Sequence, residues 1–543
     1  WTFATLSRAI YNFFYILTDF YALIERGAAD LFNKAIIALV LTYLLLTTCR
    51  AKEVVSSAGT PIEFKWRLTT KYLKASNTDA SDSFGKSVAI SGDGRTLAVS
   101  ANCESSNATG VNGDQKNNSS TCSGAVYVFV NENSTWTQQA YLKASNTDMY
   151  DSFGYCLSMS SDGNTLAVSA SEEASKATGI EGKQSDNSAF RAGAVYIFTR
   201  QNKRWSQQAY VKASNTEASD YFGGNLSLSK DGNTLAVGAK GEDSKAKGVN
   251  GQQSDNSAKN SGAVYIFARI GSDWSQQAYI KASDAEAEDY FGASVALGAN
   301  GKLLAVGATL RDNKSKKTTA NQIGQTTPNS GSVYIFEKHG QTWVEQAQLC
   351  ASNPDENDYF GGSVALSSDG HTLAVGALGE GSNAIAVNGD QINNSFDQAG
   401  AVYVFTKNGN KWIQQAYVKA SNTGYFDYFS HCLALSADGN TLVVGAPYEC
   451  SKATNINGDQ NDDSLAQAGA AYIFERVGSS WTQRAYIKAP NTGYSDRFGH
   501  SAALSSDGKI LAIGAYCESS NAKGIDGDQN NDSNIHAGAV YLY

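Results

Sequence analysis

Seven aspartates recur in this chain at one spacing. Asp82, Asp151, Asp220, Asp289, Asp358, Asp427 and Asp496 stand 69 residues apart. Each lies two residues before a phenylalanine: Phe84, Phe153, Phe222, Phe291, Phe360, Phe429 and Phe498. A carboxylate against an apolar neighbour suits acid–base work. A catalytic centre needs its acid once, however, whereas a turn needs its hydrogen bond in every copy. The repetition therefore assigns these aspartates to structure. His431 and His500 share one repeat position, and Cys432 follows His431. A thiol beside a base would make a nucleophilic pair, but no third group stands ready to orient it. His339, His371 and His536 fall at unrelated positions. The eight cysteines include no Cys-x-x-Cys pair, and their spacing fits no zinc site. No Gly-rich phosphate loop, His-Glu-x-x-His or Gly-x-Ser-x-Gly motif is present. No cofactor and no metal site is expected on these grounds.

Binding chemistry has a better candidate. A polar box recurs as Asn112-Gly113-Asp114-Gln115, Asn388-Gly389-Asp390-Gln391, Asn457-Gly458-Asp459-Gln460 and Asp526-Gly527-Asp528-Gln529. Looser versions stand at Glu181 to Gln184 and Asn250 to Gln253, and the fourth copy, Gln322 to Ser330, has largely lost it. Asp114, Gln115, Asp390, Gln391, Asp459, Gln460, Asp528 and Gln529 are the candidate ligand-binding residues. Asn, Asp and Gly also build turns and cap their own backbone, and that reading competes for most of them. Asn455, Asn457, Asp459, Asn461 and Asp463 alternate and would present oxygens on one side, a weak hint of a cation site.

The elements that must carry these residues repeat with the same period. Gly124, Gly193, Gly262, Gly331, Gly400, Gly469 and Gly538 keep it, as do Trp136, Trp205, Trp274, Trp343, Trp412 and Trp481. Each unit reads as four strands. Strand A follows the Phe, as in Ser87 to Ile90, and turns through Asp93-Gly94, a strong hairpin signal. Strand B is Thr96 to Ala101, strand C Gly124 to Phe129, and strand D runs from near Trp136 to Ala144. Strands A and B are almost continuously apolar and should be buried on both faces. Strands C and D alternate more and should lie outside. Four-stranded units in radial array form a propeller, so the expected fold is an all-β, seven-bladed β-propeller. The chain stops at Tyr543 after a seventh strand C, while an orphan strand D, Trp66 to Ala75, precedes the first unit. Pairing the two should close the ring and remove two exposed edges. The B–C loops and D–A connections should then share one rim.

Residues 1–50 carry no repeat. Ala35 to Thr48 is uncharged and apolar, shorter than the roughly 20 residues of a membrane span and right for a signal-peptide core. Leu46-Thr47-Thr48-Cys49 resembles a lipoprotein box, which would make Cys49 a lipidation site. Segments 1–50 (signal or anchor), 51–63 (linker) and 64–543 (propeller) follow. Export, with any membrane contact confined to the N-terminal segment, is the common expectation. In an oxidising compartment Cys103 has two partners open to it, Cys122 across one polar loop or Cys517 at the matching position of the last repeat; free thiols are the third reading. The formal net charge of −9 argues against nucleic acid.

Phe84-Gly85 opening strand A and Gly445-Ala446-Pro447 closing strand B resemble the FG-GAP repeat of integrin α-subunit propellers and their bacterial relatives. Ser430 replaces the Gly once, and Gly-Ala-Pro softens to Gly238-Ala239 or Ser100-Ala101 in other copies. The resemblance covers residues 64 to 543. It implies the fold, an extracellular or cell-surface location, and adhesion to a protein or glycan rather than catalysis. A polysaccharide lyase or hydrolase on the same scaffold, or a structural module of a surface assembly, are the alternatives. Integrin-type repeats hold Ca²⁺ in an acidic A–B loop. Here that turn offers one Asp, too few for 6–8 oxygen ligands, so the calcium site is not carried over.

Overall fold

In a computed structural model, residues 71–314 and 326–543 are described. The N-terminal segment with Cys49, the linker, residues 64–70 and part of the fourth polar loop lie outside the described residues. Seven four-stranded antiparallel sheets stand around an axis. The first blade consists of β2 (Phe84–Ile90), β3 (Thr96–Ala101), β4 (Ala125–Glu132) and β5 (Thr135–Leu142), which are strands A to D from axis to rim. The last blade takes its fourth strand from the other end of the chain. There β1 (Lys71–Leu73) pairs with Ala539–Leu542, with Tyr72 opposite Tyr541.

Between each pair of neighbouring blades lies one apolar core. Phe153 packs with Val126, Val128 and Leu142 of the preceding blade, and with Leu166 and Tyr196 of its own. Leu73, Val540 and Leu542 join Phe84 and Tyr127 in the core that closes the ring. Burial differs from the expected pattern. Strand C is not half-exposed: Ala125 to Val130 are buried without a break, because neighbouring blades cover both of its faces. Strand A is the more open one, with Lys86, Ser87 and Ile90 only half-buried, because it lines the axis.

Register explains which side chains reach that axis. The A–B ladder breaks between Phe84 and Val88, so the strand opens in a bulge that re-aims side chains, as bulges often do. Gly85 takes a φ of 91°, and a Cβ there would lie 2.5 Å from the Ala539 carbonyl oxygen. Ser430 holds the same conformation, φ 90°, with its hydroxyl buried and unpartnered.

The A–B turns close one end of the channel. Backbone N–H groups donate around the ring from Gly92 to Ser161, Ser161 to Lys230 and Lys230 to Ala299, then from Ser368 to Ala437, Ala437 to Ser506 and Ser506 to Gly92. Lys230 also reaches across, its Nζ donating to Ser506 Oγ at 3.0 Å. Where the ring lacks a link, Leu303 and Ser368 line a cavity of about 230 Å³ between two blades.

Candidate functional site

The opposite rim carries the B–C loops and D–A connections. A buried network under each loop fixes that rim. In the third blade Lys281 Nζ meets Glu242 Oε2 at 2.7 Å, with side chains 0% and 1% exposed. Glu242 also accepts from the Tyr279 hydroxyl at 2.8 Å and from Asn215 Nδ2 at 2.9 Å. Asn215 in turn accepts from the Tyr265 hydroxyl at 2.6 Å, and Lys281 donates to Ser261 Oγ at 2.6 Å. The start of the loop, the end of strand D, the incoming connection and strand C are thereby tied at one point. Five further blades repeat the pair: Lys74–Glu518, Lys143–Glu104, Lys212–Glu173, Lys419–Glu380 and Lys488–Glu449. The fourth blade substitutes three members together. Cys350 stands for the Lys, Arg311 for the Glu and Asp284 for the Asn. Arg311 pairs with Asp284 and Asp289 at 2.9 Å each, so the buried charge stays balanced. This joint replacement within one chain is the sequence signal that marks the network.

The repeated aspartates sit beside it. Asp220 Oδ2 accepts the backbone N–H of Glu217 at 2.8 Å and caps the D–A connection; Asp82, Asp151, Asp289, Asp358, Asp427 and Asp496 make the same bond three residues back. Burial pushes the carboxyls up, to about 8 at Asp82, Asp151, Asp220 and Asp358 and about 7 at Asp427 and Asp496. At Asp289 burial is offset by Arg311, and the value reaches only about 6. The folded protein therefore keeps protons that the unfolded chain has already released above its carboxylate range. Unfolding releases protons across that window, so stability falls as pH rises through it. His431 works the other way below pH 6.5, its pKa brought down to about 4 chiefly by burial. Chemical denaturation between pH 6.5 and 8 tests the aspartates, which outnumber the one opposing group, Cys122, lowered to about 7 chiefly by its bond with Cys103: the midpoint is expected to drop toward pH 8, and a rise would mean that the carboxylates stay charged.

The polar boxes are largely spent on their own loops. Asn112 Oδ1 accepts the Tyr141 N–H at 2.9 Å, and Asn388 and Asn457 do the same for Tyr417 and Tyr486. Asp114, Asp390, Asp459 and Asp528 are exposed, and each accepts the N–H two residues on. Gln115, Gln391 and Gln460 accept from Ser76, Ser352 and Ser421 of the incoming connection. Gln529 lacks that donor because Pro490 stands in place of the serine, and its Oε1 is buried and unpartnered. The alternating oxygens from Asn455 to Asp463 are not gathered: Asn457 and Asp459 serve the bonds just given. Among the described residues no three His, Cys, Asp or Glu side chains group to hold a metal.

The residues that do converge are the ones the repeat does not share. At the axis a cavity of about 500 Å³ opens on the loop rim, lined by Lys86, Tyr155, Lys240, Tyr359, His431 and His500 among others. Lys86, Tyr155, His431 and His500 occupy the same strand-A position, two after the Phe, in four different blades. The His431 and His500 rings lie 4.3 Å apart, and His500 stacks on Tyr516 at 4.3 Å. Lys86 Nζ sits 4.8 Å over the Tyr516 ring. Cys432 donates to the Gly499 carbonyl oxygen at 3.2 Å, and burial pushes its thiol up to about 12. That thiol is no nucleophile beside His431. Cys103 and Cys122 are both free thiols in contact with each other; Cys517 is free as well.

The FG-GAP repeat family matches the chain seven times, over residues 66–129, 136–198, 205–267, 274–336, 343–405, 412–474 and 481–543. The chain belongs to the FG-GAP repeat family. Each FG-GAP unit is framed as strands D, A, B and C, so every blade borrows its outer strand from the next unit and the last blade borrows β1. No curated protein matches the sequence. Solved structures similar to it include a chain of the mitotic checkpoint complex (13% identity, covering 85% of this chain and 93% of that one, TM-score 0.44). Sqt1 of Saccharomyces cerevisiae is 9% identical, with 83% of each chain covered and a TM-score of 0.41. The β-propeller domain of Cps50 (Swd1) from Myceliophteria thermophila is 11% identical, covering 88% of this chain and 98% of that one, with a TM-score of 0.45. In this FG-GAP propeller the Phe is the key of the inter-blade core. Phe222 is fully buried, 5.4 Å from the Tyr265 ring and 6.1 Å from Phe267. Trp205, Trp274 and Trp481 clamp neighbouring outer strands: Trp205 Nε1 donates to Gln139 Oε1 at 2.9 Å beneath the Arg200 guanidinium.

Proposed function

We propose that this protein is a non-enzymatic binding propeller of the cell surface that recognises a protein or glycan through its loop-bearing rim. One observation carries the reading. Most of its exposed large apolar side chains stand on that rim, among them Met149, Tyr150, Phe190, Tyr425, Phe426 and Tyr494. Apolar groups gathered on one exposed face mark interaction sites, and aromatic anchors dominate binding energy. The buried Lys–Glu networks hold the loops rigid, which lowers the entropic cost of binding. An exported location rests on the apolar N-terminal sequence, which is also the protein's only contact with membrane. Calcium has no part in this reading. The test is a glycan and protein array probed with the wild type and with Tyr425→Ser/Phe426→Ser. Retention of one ligand class, weakened at least about tenfold by the double substitution, is expected. Turnover of a polysaccharide without retention would replace binding with catalysis, and a blank array would leave a structural module.

A further inference from the structure

The axial cavity has a chemistry of its own. Two amines, Lys86 and Lys240, line one open pocket, with His431 and His500 beside the first. No Asp or Glu is among the residues lining it, in a chain of net charge −9. The six fully buried lysines of the described residues each have a glutamate within 3 Å, as Lys281 has Glu242, whereas Lys86, Lys230 and Lys240 are half-buried. Lys86 and Lys240 instead lie over aromatic rings: Lys86 over Tyr516 and Tyr155 at 4.8 and 5.8 Å, Lys240 over Tyr221 and Tyr290 at 5.8 and 5.9 Å. Ring faces attract a cation without neutralising it. The A–B turns and Lys230 stand at the other end of the axis. At about 500 Å³ it falls within the size range of small-ligand sites.

We propose that this axial pocket binds an acidic sugar residue, its carboxylate held by Lys86 and its ring laid against the pocket tyrosines. The inference rests on the reading of the protein as a binding propeller and gives that reading a ligand class. A carboxylate supplies the counter-charge that Lys86 lacks, and charge-assisted hydrogen bonds are the strong ones. A sugar ring supplies C–H faces for Tyr155 and Tyr359, which a bare inorganic anion does not. Burial draws the pKa of Lys86 downward, so the amine gains from an anion brought beside it. His431 and His500 have pKa values lowered by burial and by the Lys86 charge. They are neutral at pH 7 and serve as hydrogen-bonding walls.

Titration calorimetry of the full chain with glucuronate, galacturonate and N-acetylneuraminate tests this, with glucose and inorganic phosphate as comparators. At least one acidic sugar is expected to bind one-to-one, about tenfold or more tighter than glucose and phosphate. Lys86→Met is expected to weaken it about tenfold while thermal melting stays unchanged. Glucose or phosphate binding as tightly as the acidic sugars, or none of the three binding, would overturn the proposal. Should a variant melt early, the wild-type comparison with glucose decides alone. An acidic sugar bound in the pocket while the array stays blank keeps the pocket and removes the macromolecular reading. An array signal unchanged in Lys86→Met, with no acidic sugar bound, does the reverse.

Discussion

Lys281→Met is expected to destabilise the propeller by about 3–5 kcal/mol. Glu242 is 1% exposed and would lose the only cation beside it. Its remaining donors, Tyr279, Asn215 and Ser244, are neutral and cannot balance a buried negative charge. An exposed ion pair would be worth about 0–1 kcal/mol by comparison. The double substitution Lys281→Met/Glu242→Gln should recover much of the loss, because it leaves no uncompensated charge. Denaturant midpoints of the two variants check the pair. A loss under about 1 kcal/mol in Lys281→Met would mean that the pair is hydrated rather than buried. The fourth blade is the natural control. Its Cys350, Arg311 and Asp284 exchange the charges, and Asp284 is 42% exposed, so Arg311→Met should cost less than Lys281→Met.

Removing residues 1–75 is expected to abolish cooperative folding of the ring. The deletion takes away β1, and with it the partner of Ala539–Leu542. It exposes that strand as a free edge, a template for aggregation. It also removes Lys74 and strands Glu518, whose side chain is 1% exposed. Leu73 leaves the closing core, where it is fully buried with Val540 and Leu542. A circular permutant that places residues 66–76 behind Tyr543, joined by a copy of the hairpin Glu475–Ser480, keeps every one of these contacts. It should melt as one cooperative unit, while the deletion should elute as aggregate in size-exclusion chromatography. A monomeric, cooperatively melting deletion variant would show that closure is dispensable.

Both predictions rest on features of different visibility. The orphan strand before the first Phe could be seen from the spacing alone, because a missing strand D at one end and a spare one at the other are both local patterns. Strand C is less legible: Tyr127 and Phe129 look like one face of a half-exposed strand, yet Val126 and Val128 are equally buried. Alternation reports burial only when one face meets water, and blades on both sides remove that condition. The Asn-Gly-Asp-Gln boxes read as candidates for binding, while the structure finds Asn112, Asp114 and Gln115 occupied by their own loop and its neighbour.

The sequence by itself determined the number of blades, their strand order, the closing strand and the capping role of a seven-fold aspartate. These follow from a repeat in which every copy meets the same local demands. Tertiary structure alone decided which residues share the axis. Lys86, Lys240, His431 and His500 are scattered over some four hundred positions and look like drift within the repeat. Ring closure brings the strand-A positions and strand-B ends of the blades to one place, so the differences between copies, not their likeness, compose the pocket.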